Sequence, residues 1–383
     1  MRMTSLARRT ALILLASAAF TAPAVAQEKV LKFGSIFALS GPNASIGKEA
    51  WEGMKYAAQK LNSQGVTIAG EKYRVEYINV DDETKTERAV AGAEKLISQD
   101  NVPVIFLPPG STASLAVQPV TEKNKRIALS FIAAAPQLIS PNAKFTFRNT
   151  LTSTMNVSPA VEYLVKQRGA KSIAYVGRND DWGRAAAKAI GAKAAELGGK
   201  LIVEEFFEPG STDFYGLLTK VRASTADATI MAAYIEDGVS LLKQYRELQM
   251  KPAMMSVSVI STSPPFITGA GKAADGLLVS TGPTTSDTPK LAAFREEYQK
   301  ATGNRALPFS VTAYDSAMMM IEAIKKAGST DPEKIAAVLP TFEYDGLLQT
   351  YRFNNSHQSE VVINVNEIKD GNVRVISSIV TKE

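Results

Sequence analysis

The 383-residue chain has no cysteine, one histidine and two tryptophans. Without cysteine there is no disulfide, no thiol nucleophile and no lipid carried on a cysteine at a processing site. One histidine, His357, cannot build a multi-histidine metal centre, so no metal site is expected and no cofactor is called for. His357 lies in the polar run "NNSHQSE", which reads as a solvated turn, and no serine-elbow pattern surrounds it. Long apolar runs are also scarce. The most apolar stretch, residues 11–20, is too short to cross a bilayer. Neither sign of charge dominates, with 43 Lys and Arg against 38 Asp and Glu.

That apolar stretch follows Arg2, Arg8 and Arg9 and precedes "TAPAVA", with small residues at Ala24 and Ala26. Basic head, short apolar core and small residues together make a secretory leader over 1–26. The paired arginines lack the rest of a twin-arginine signal, which favours the general secretory route. Removing the leader lowers the formal net charge from +5 to +2. The basic balance therefore gives no support to nucleic-acid binding. The mature chain is expected to be a soluble monomer in the periplasm.

The segment "FALSGPNASIGKEAW", residues 37–51, imitates a phosphate-binding loop. That loop needs four residues between its glycines, then Gly-Lys and a Ser or Thr. Here five residues separate Gly41 from Gly47, and Glu49 stands where the hydroxyl belongs. A carboxylate there would repel phosphate. "GAGKAA", residues 269–274, fits a loose dinucleotide pattern but precedes a strand, which makes it a false match. "DDE" at 81–83 and "NDDW" at 179–182 read as acidic strand-to-helix turns, each beside a helix N-terminus.

From residue 28 onward, apolar strand-like runs alternate with amphipathic helices in two successive series. The second begins near Thr152. Such alternation predicts parallel sheets covered on both faces. The tail, from "TYRFN" onward, alternates like antiparallel strands. The fold class is α/β: two Rossmann-like lobes of similar plan, with the chain crossing near Arg148, Thr281 and Thr350. The expected division is 27–148 plus 281–350 for lobe I, and 149–280 plus 351–383 for lobe II.

Several features, in order, resemble the periplasmic solute-binding proteins of branched-chain amino acid type ABC transporters. They are "FGSIFALSGPNASIGKEAWEGMKYAAQKLN", "VDDETKTERAVAGAEKLI", "PPGSTASLAVQPVTEKNKRIALSFIAAAPQL", "FRNT", "IAYVGRNDDWGRAAAKAI" and "AADGLLVST". No single motif is specific; the series covers nearly all of the mature chain. The resemblance implies a type I periplasmic binding protein fold with a three-stranded hinge, a small-molecule solute and importer permease subunits as partners. It implies no enzymatic activity. A sensor of the same fold, passing ligand state to a membrane receptor, is the alternative.

The resemblance also implies a site. Its first-lobe part is Ile46 in the opening loop, Ser111 and Thr112 after the third strand, and Ala133 and Ala134 after the fourth. Thr112 opens a helix, so free amides plus a hydroxyl would cradle a ligand carboxylate. Many family members carry a hydroxyl residue where Ala134 stands. From the second lobe come Trp182 and Tyr234, and from the late first-lobe segment Phe309. Amino-acid binders place an acid where this chain has Val259, flanked by Ser258 and Ser261. Two readings stay open: Glu236 accepts the ammonium instead, or the ligand has no α-ammonium. The cost of burying an unpaired ammonium favours the second. The ligand is then an apolar or aromatic carboxylate, or a small amide.

Overall fold

The computed structural model describes residues 28–251, 253–282 and 288–381. The leader lies outside the described residues. The first sheet takes β1 (Lys29–Ile36), β2 (Val66–Ile68), β3 (Glu71–Val80), β4 (Val104–Phe106), β5 (Ile127–Ser130) and β6 (Thr146–Arg148). Their order is β2-β3-β1-β4-β5-β6, parallel except for the β2–β3 pair. Helices α1 (Ala44–Gln64), α2 (Thr86–Ser98) and α3 (Ser111–Lys123) connect these strands.

The second sheet is built after α4 (Ser153–Glu162). It takes β7 (Ser172–Arg178), α5 (Asp181–Glu196), β8 (Lys200–Phe207), α6 (Tyr215–Ala223), β9 (Ala228–Ala232), α7 (Ile235–Glu247), β10 (Ala253–Ser256), α8 (Pro264–Ala270) and β11 (Leu278–Thr281). The chain then returns to the first lobe with α9 (Pro289–Thr302), α10 (Pro308–Ala327), α11 (Pro332–Val338) and a small hairpin, β12 (Glu343–Asp345) and β13 (Thr350–Arg352). Strands β14 (Val361–Lys369) and β15 (Asn372–Thr381) close the second sheet, whose order is β15-β14-β11-β10-β9-β7-β8. Only the β11–β14 and β14–β15 pairs are antiparallel.

Burial follows position in the sheet. Central β9 is buried at all five positions, whereas edge strand β8 alternates, as expected for a parallel sheet with helices on both faces. Each lobe has its own core. The second-lobe core continues across the cleft through Ile46, Ala134 and Phe309.

The imitation phosphate loop has a packing explanation. Gly41 has φ of +78°, and a Cβ there would meet the Glu83 carbonyl oxygen at 2.5 Å. A Cβ on Gly47 would sit 1.9 Å from the Ala38 carbonyl oxygen. The first glycine turns the loop and the second lets α1 press on the end of β1. The acidic run after β3 fastens the same loop: Asp81 Oδ1 accepts from the Leu39 amide at 2.8 Å and Oδ2 from the Ser40 hydroxyl at 3.2 Å.

Segments between the sheets are tied together. Arg148 donates through Nε to Gln358 Oε1 at 2.6 Å, and Gln358 Nε2 donates to the Thr150 carbonyl at 2.7 Å. His357, expected to be solvated, is half-buried and stacks on Phe147 with centroids 4.1 Å apart. Helix α8 was not foreseen. Ser263 caps it, accepting from the Phe266 amide, and Pro264 occupies its first turn, where a missing N–H costs nothing.

Candidate functional site

Ligands of open α/β sheets bind beyond the carboxyl ends of the strands, where the strand order reverses. In the first sheet that point lies between β1 and β4, and in the second between β7 and β9. The two reversal points are brought together. Asn43 follows β1, and its Oδ1 accepts from Nη2 of Arg178 at the end of β7, at 3.0 Å. Thr112, at the start of α3, accepts through its hydroxyl from the Asp181 amide at 3.2 Å.

Between these contacts and the hinge lies a cavity with about 770 Å³ of free space, part of it open to solvent. Phe131, Ile132 and Ala134 beyond β5 form one wall, with Phe309 and Thr312 from the first turn of α10. Trp182 of α5, Tyr234 after β9 and residues 257–259 after β10 form the opposite wall. Its floor is the hinge: Asn149, Thr150, Gly282, Gln349 and Tyr351. None of the described residues that line it carries a charged side chain.

The second-lobe wall is pre-arranged. Trp182 and Tyr234 stack with centroids 5.1 Å apart and planes inclined by 20°. The Arg178 guanidinium lies 4.1 Å from the centre of the Tyr234 ring. Arg178 is 1% exposed, and its fork is occupied by Asp237 at 2.8 Å, Asp180 at 3.1 Å and Asn43. Burial pulls its pKa down, but Tyr234 and the two carboxylates outweigh it, so the guanidinium stays charged. With its donors already engaged, it serves the wall and the cleft rather than a ligand.

The first-lobe wall rests on Glu49. Its Oε1 accepts from the Phe309 amide at the start of α10. Burial pushes its carboxyl up to about 8, against the pull of the Phe309 and Ser310 amides. Near neutral pH this group is mostly uncharged, so it adds no anion behind the wall. The hinge floor rests on Asp315, which accepts from the Leu347 amide at 2.9 Å and the Tyr351 hydroxyl at 2.9 Å. Burial raises its pKa to about 6.

Of the residues expected at the site, the structure brings Ala134, Trp182, Tyr234 and Phe309 to the cavity, together with Val259. Ile46 is 1% exposed and packs in the core behind Ala134 and Trp182. Ser111 and Ala133 are buried outside the lining. The Ser111 hydroxyl accepts from the amides of Ala134 and Ala135, at 3.2 and 3.1 Å, so it holds the wall and those amides are already engaged. Thr112 is exposed and spans the cleft instead of lining the cavity. Glu236 is exposed on the first turn of α7 and is not brought to the cavity; the buried acid beside it, Asp237, is held by Arg178 and the Tyr234 amide. The hinge residues went unread, although Asn149 and Thr150 follow Arg148, where the sequence placed the first crossing.

Two parallel-sheet lobes, three crossings and a cleft at the strands' carboxyl ends define a solute-binding protein of the type I periplasmic fold. The chain belongs to the periplasmic binding protein family, whose model matches residues 30–372. It is 28% identical to an amino acid binding protein of Pseudomonas aeruginosa, over 78% of this chain and 79% of that one. A crystal structure of the leucine binding protein LivK from Thermotoga maritima superposes with a TM-score of 0.82 at 25% identity, covering 91% of this chain and 98% of that one. A Rhodopseudomonas palustris solute binding protein of an ABC transporter, in complex with p-hydroxybenzoic acid, has a TM-score of 0.83 at 22% identity, over 93% and 98%. Among the described residues no group of acids and histidine is arranged to hold a metal, and no helix is long and apolar enough to cross a membrane.

Proposed function

We propose that this chain is the periplasmic receptor of an ABC importer, and that it captures a small apolar solute lacking an α-ammonium. The lobes are residues 27–148 with 281–350, and 149–280 with 351–383. Closure of the hinge brings Trp182 and Tyr234 onto a solute lying against Ala134 and Phe309. The receptor hands the solute unchanged to permease subunits in the inner membrane. The leader at 1–26 directs export.

One observation carries the ligand class. Val259 lines the cavity, and no described lining residue is an acid. Burying an ammonium there would cost several kcal/mol. Likeness in fold does not choose the ligand, since the same fold serves a leucine binding protein and a holder of p-hydroxybenzoic acid. The lining supports a solute without an α-ammonium. A thermal-shift screen of amino acids, aliphatic acids, aromatic acids and amides tests it. Apolar acids or amides should raise the melting temperature while α-amino acids leave it unchanged; the reverse pattern would overturn the reading.

A further inference from the structure

One polar atom beside the cavity is left without a partner among the described residues, and it narrows the solute further. This step rests on the cavity being the solute site. Asn149 follows β6, is 2% exposed and lines the cavity. Its Nδ2 donates to Ser316 Oγ at 2.9 Å. An amide's two ends are otherwise hard to tell apart, but here the next bond fixes them. Ser316 has a single hydroxyl proton, which it gives to the Thr312 carbonyl at 2.7 Å. Toward Asn149 it can therefore only accept. With the amide turned over, Oδ1 would face an oxygen with no proton to offer.

Asn149 Oδ1 is thus left as the free end of the side chain, and it is buried with no hydrogen-bond partner among the described residues. An unmet buried acceptor carries an unreturned desolvation cost, which a bound solute would recover by offering a donor. A carboxylate has no proton to give and would set one acceptor against another. An ammonium would lack a carboxylate among the described lining residues.

We infer that Asn149 is a specificity-determining residue whose Oδ1 accepts a hydrogen bond from an uncharged N–H or O–H of the solute, as offered by an apolar carboxamide or alcohol. The rest of the solute occupies the apolar space toward Phe131, Trp182 and Phe309, where the lining is aromatic.

Calorimetric titration of the full chain with 3-phenylpropanamide, 3-phenyl-1-propanol and 3-phenylpropanoate tests this, because the three differ only at the polar end. The amide or the alcohol should bind about tenfold or more tighter than the acid, the difference expected of one buried hydrogen bond; which of the two is tighter separates the two donor types. Asn149→Leu should abolish that preference, bringing the affinities for the amide, the alcohol and the acid within about threefold of one another, on the same reasoning. An amide or alcohol that Trp182→Ala weakens but Asn149→Leu does not would overturn this inference and leave the cavity as the solute site. If none of the three probes binds the unaltered protein, the cavity reading and this inference fall together.

Discussion

The side-chain oxygen of Asn43, from the loop after β1, accepts a hydrogen bond from the Arg178 guanidinium at the end of β7, 3.0 Å away across the cleft. Both residues are buried, and the other donors of Arg178 are held within its own lobe by Asp180 and Asp237. The bond exists only while the lobes meet. It therefore adds to the closed state and nothing to the open one. Asn43→Ala should weaken every ligand alike, by roughly tenfold for a charge-assisted bond of about 1.5 kcal/mol. Scattering from the ligand-free protein should show a larger radius of gyration than the unaltered chain. Equal radii and equal affinities would remove this contact from the closing mechanism.

Thr112 sits in the second bridge, accepting from the Asp181 amide at 3.2 Å. Its hydroxyl was expected to hold a carboxylate directly. In its observed place it acts on closure, so Thr112→Val should lower affinity for acids and amides by the same factor, about threefold to tenfold for one neutral hydrogen bond. A loss confined to acids, measured by titration with an acid and its amide, would restore the cradle.

Trp182 is one of two tryptophans, and the other, Trp51, is half-buried and packs against the first-lobe core. Ligand binding should change tryptophan emission through Trp182 alone, because only that ring lines the cavity. Trp182→Ala should remove the change and weaken binding about tenfold or more, since the stacked face on Tyr234 is lost along with contact area. A signal that persists in the variant would assign it to Trp51.

The buried carboxyl of Glu49 makes stability depend on pH. Its folded pKa is raised to about 8 from an ordinary 4.5, so the folded chain holds more protons than the unfolded one between those values. Stability from this group is complete below about pH 4.5 and is lost as pH rises through about 8. Glu49→Gln keeps an acceptor for the Phe309 amide and cannot ionise. Melting temperatures taken from pH 5 to 9 should fall less steeply in the variant, and its relative advantage should grow with pH. Parallel curves would show that Glu49 does not titrate in this window.

The architecture was legible because its signals are periodic and local. Apolar runs such as β9 are buried on both sides, and α1 and α7 present clear amphipathic faces. Short β2, β6 and β12, of three residues each, give no period to read, and Pro264-Pro265 hides a helix start. At the site, sequence and resemblance reach Ala134, Trp182, Tyr234, Phe309 and Val259, which directly follow strands or open helices. They do not reach Asn149, Asn156 or Tyr351, because those become neighbours only when the crossings lie side by side. Nor can spacing show that Ser111 turns its hydroxyl onto the amides of Ala134 and Ala135, or that Glu236 points outward while Asp237 points in.

Under the proposed function this cleft takes an apolar solute and has no place for an α-ammonium. The most direct test is calorimetry on two pairs differing by that one group: phenylalanine against 3-phenylpropanoate, and leucine against 4-methylpentanoate. The deaminated partner should bind at least about tenfold tighter in each pair, the ammonium bearing an unreturned desolvation cost. Tighter binding of either amino acid than of its partner would contradict it.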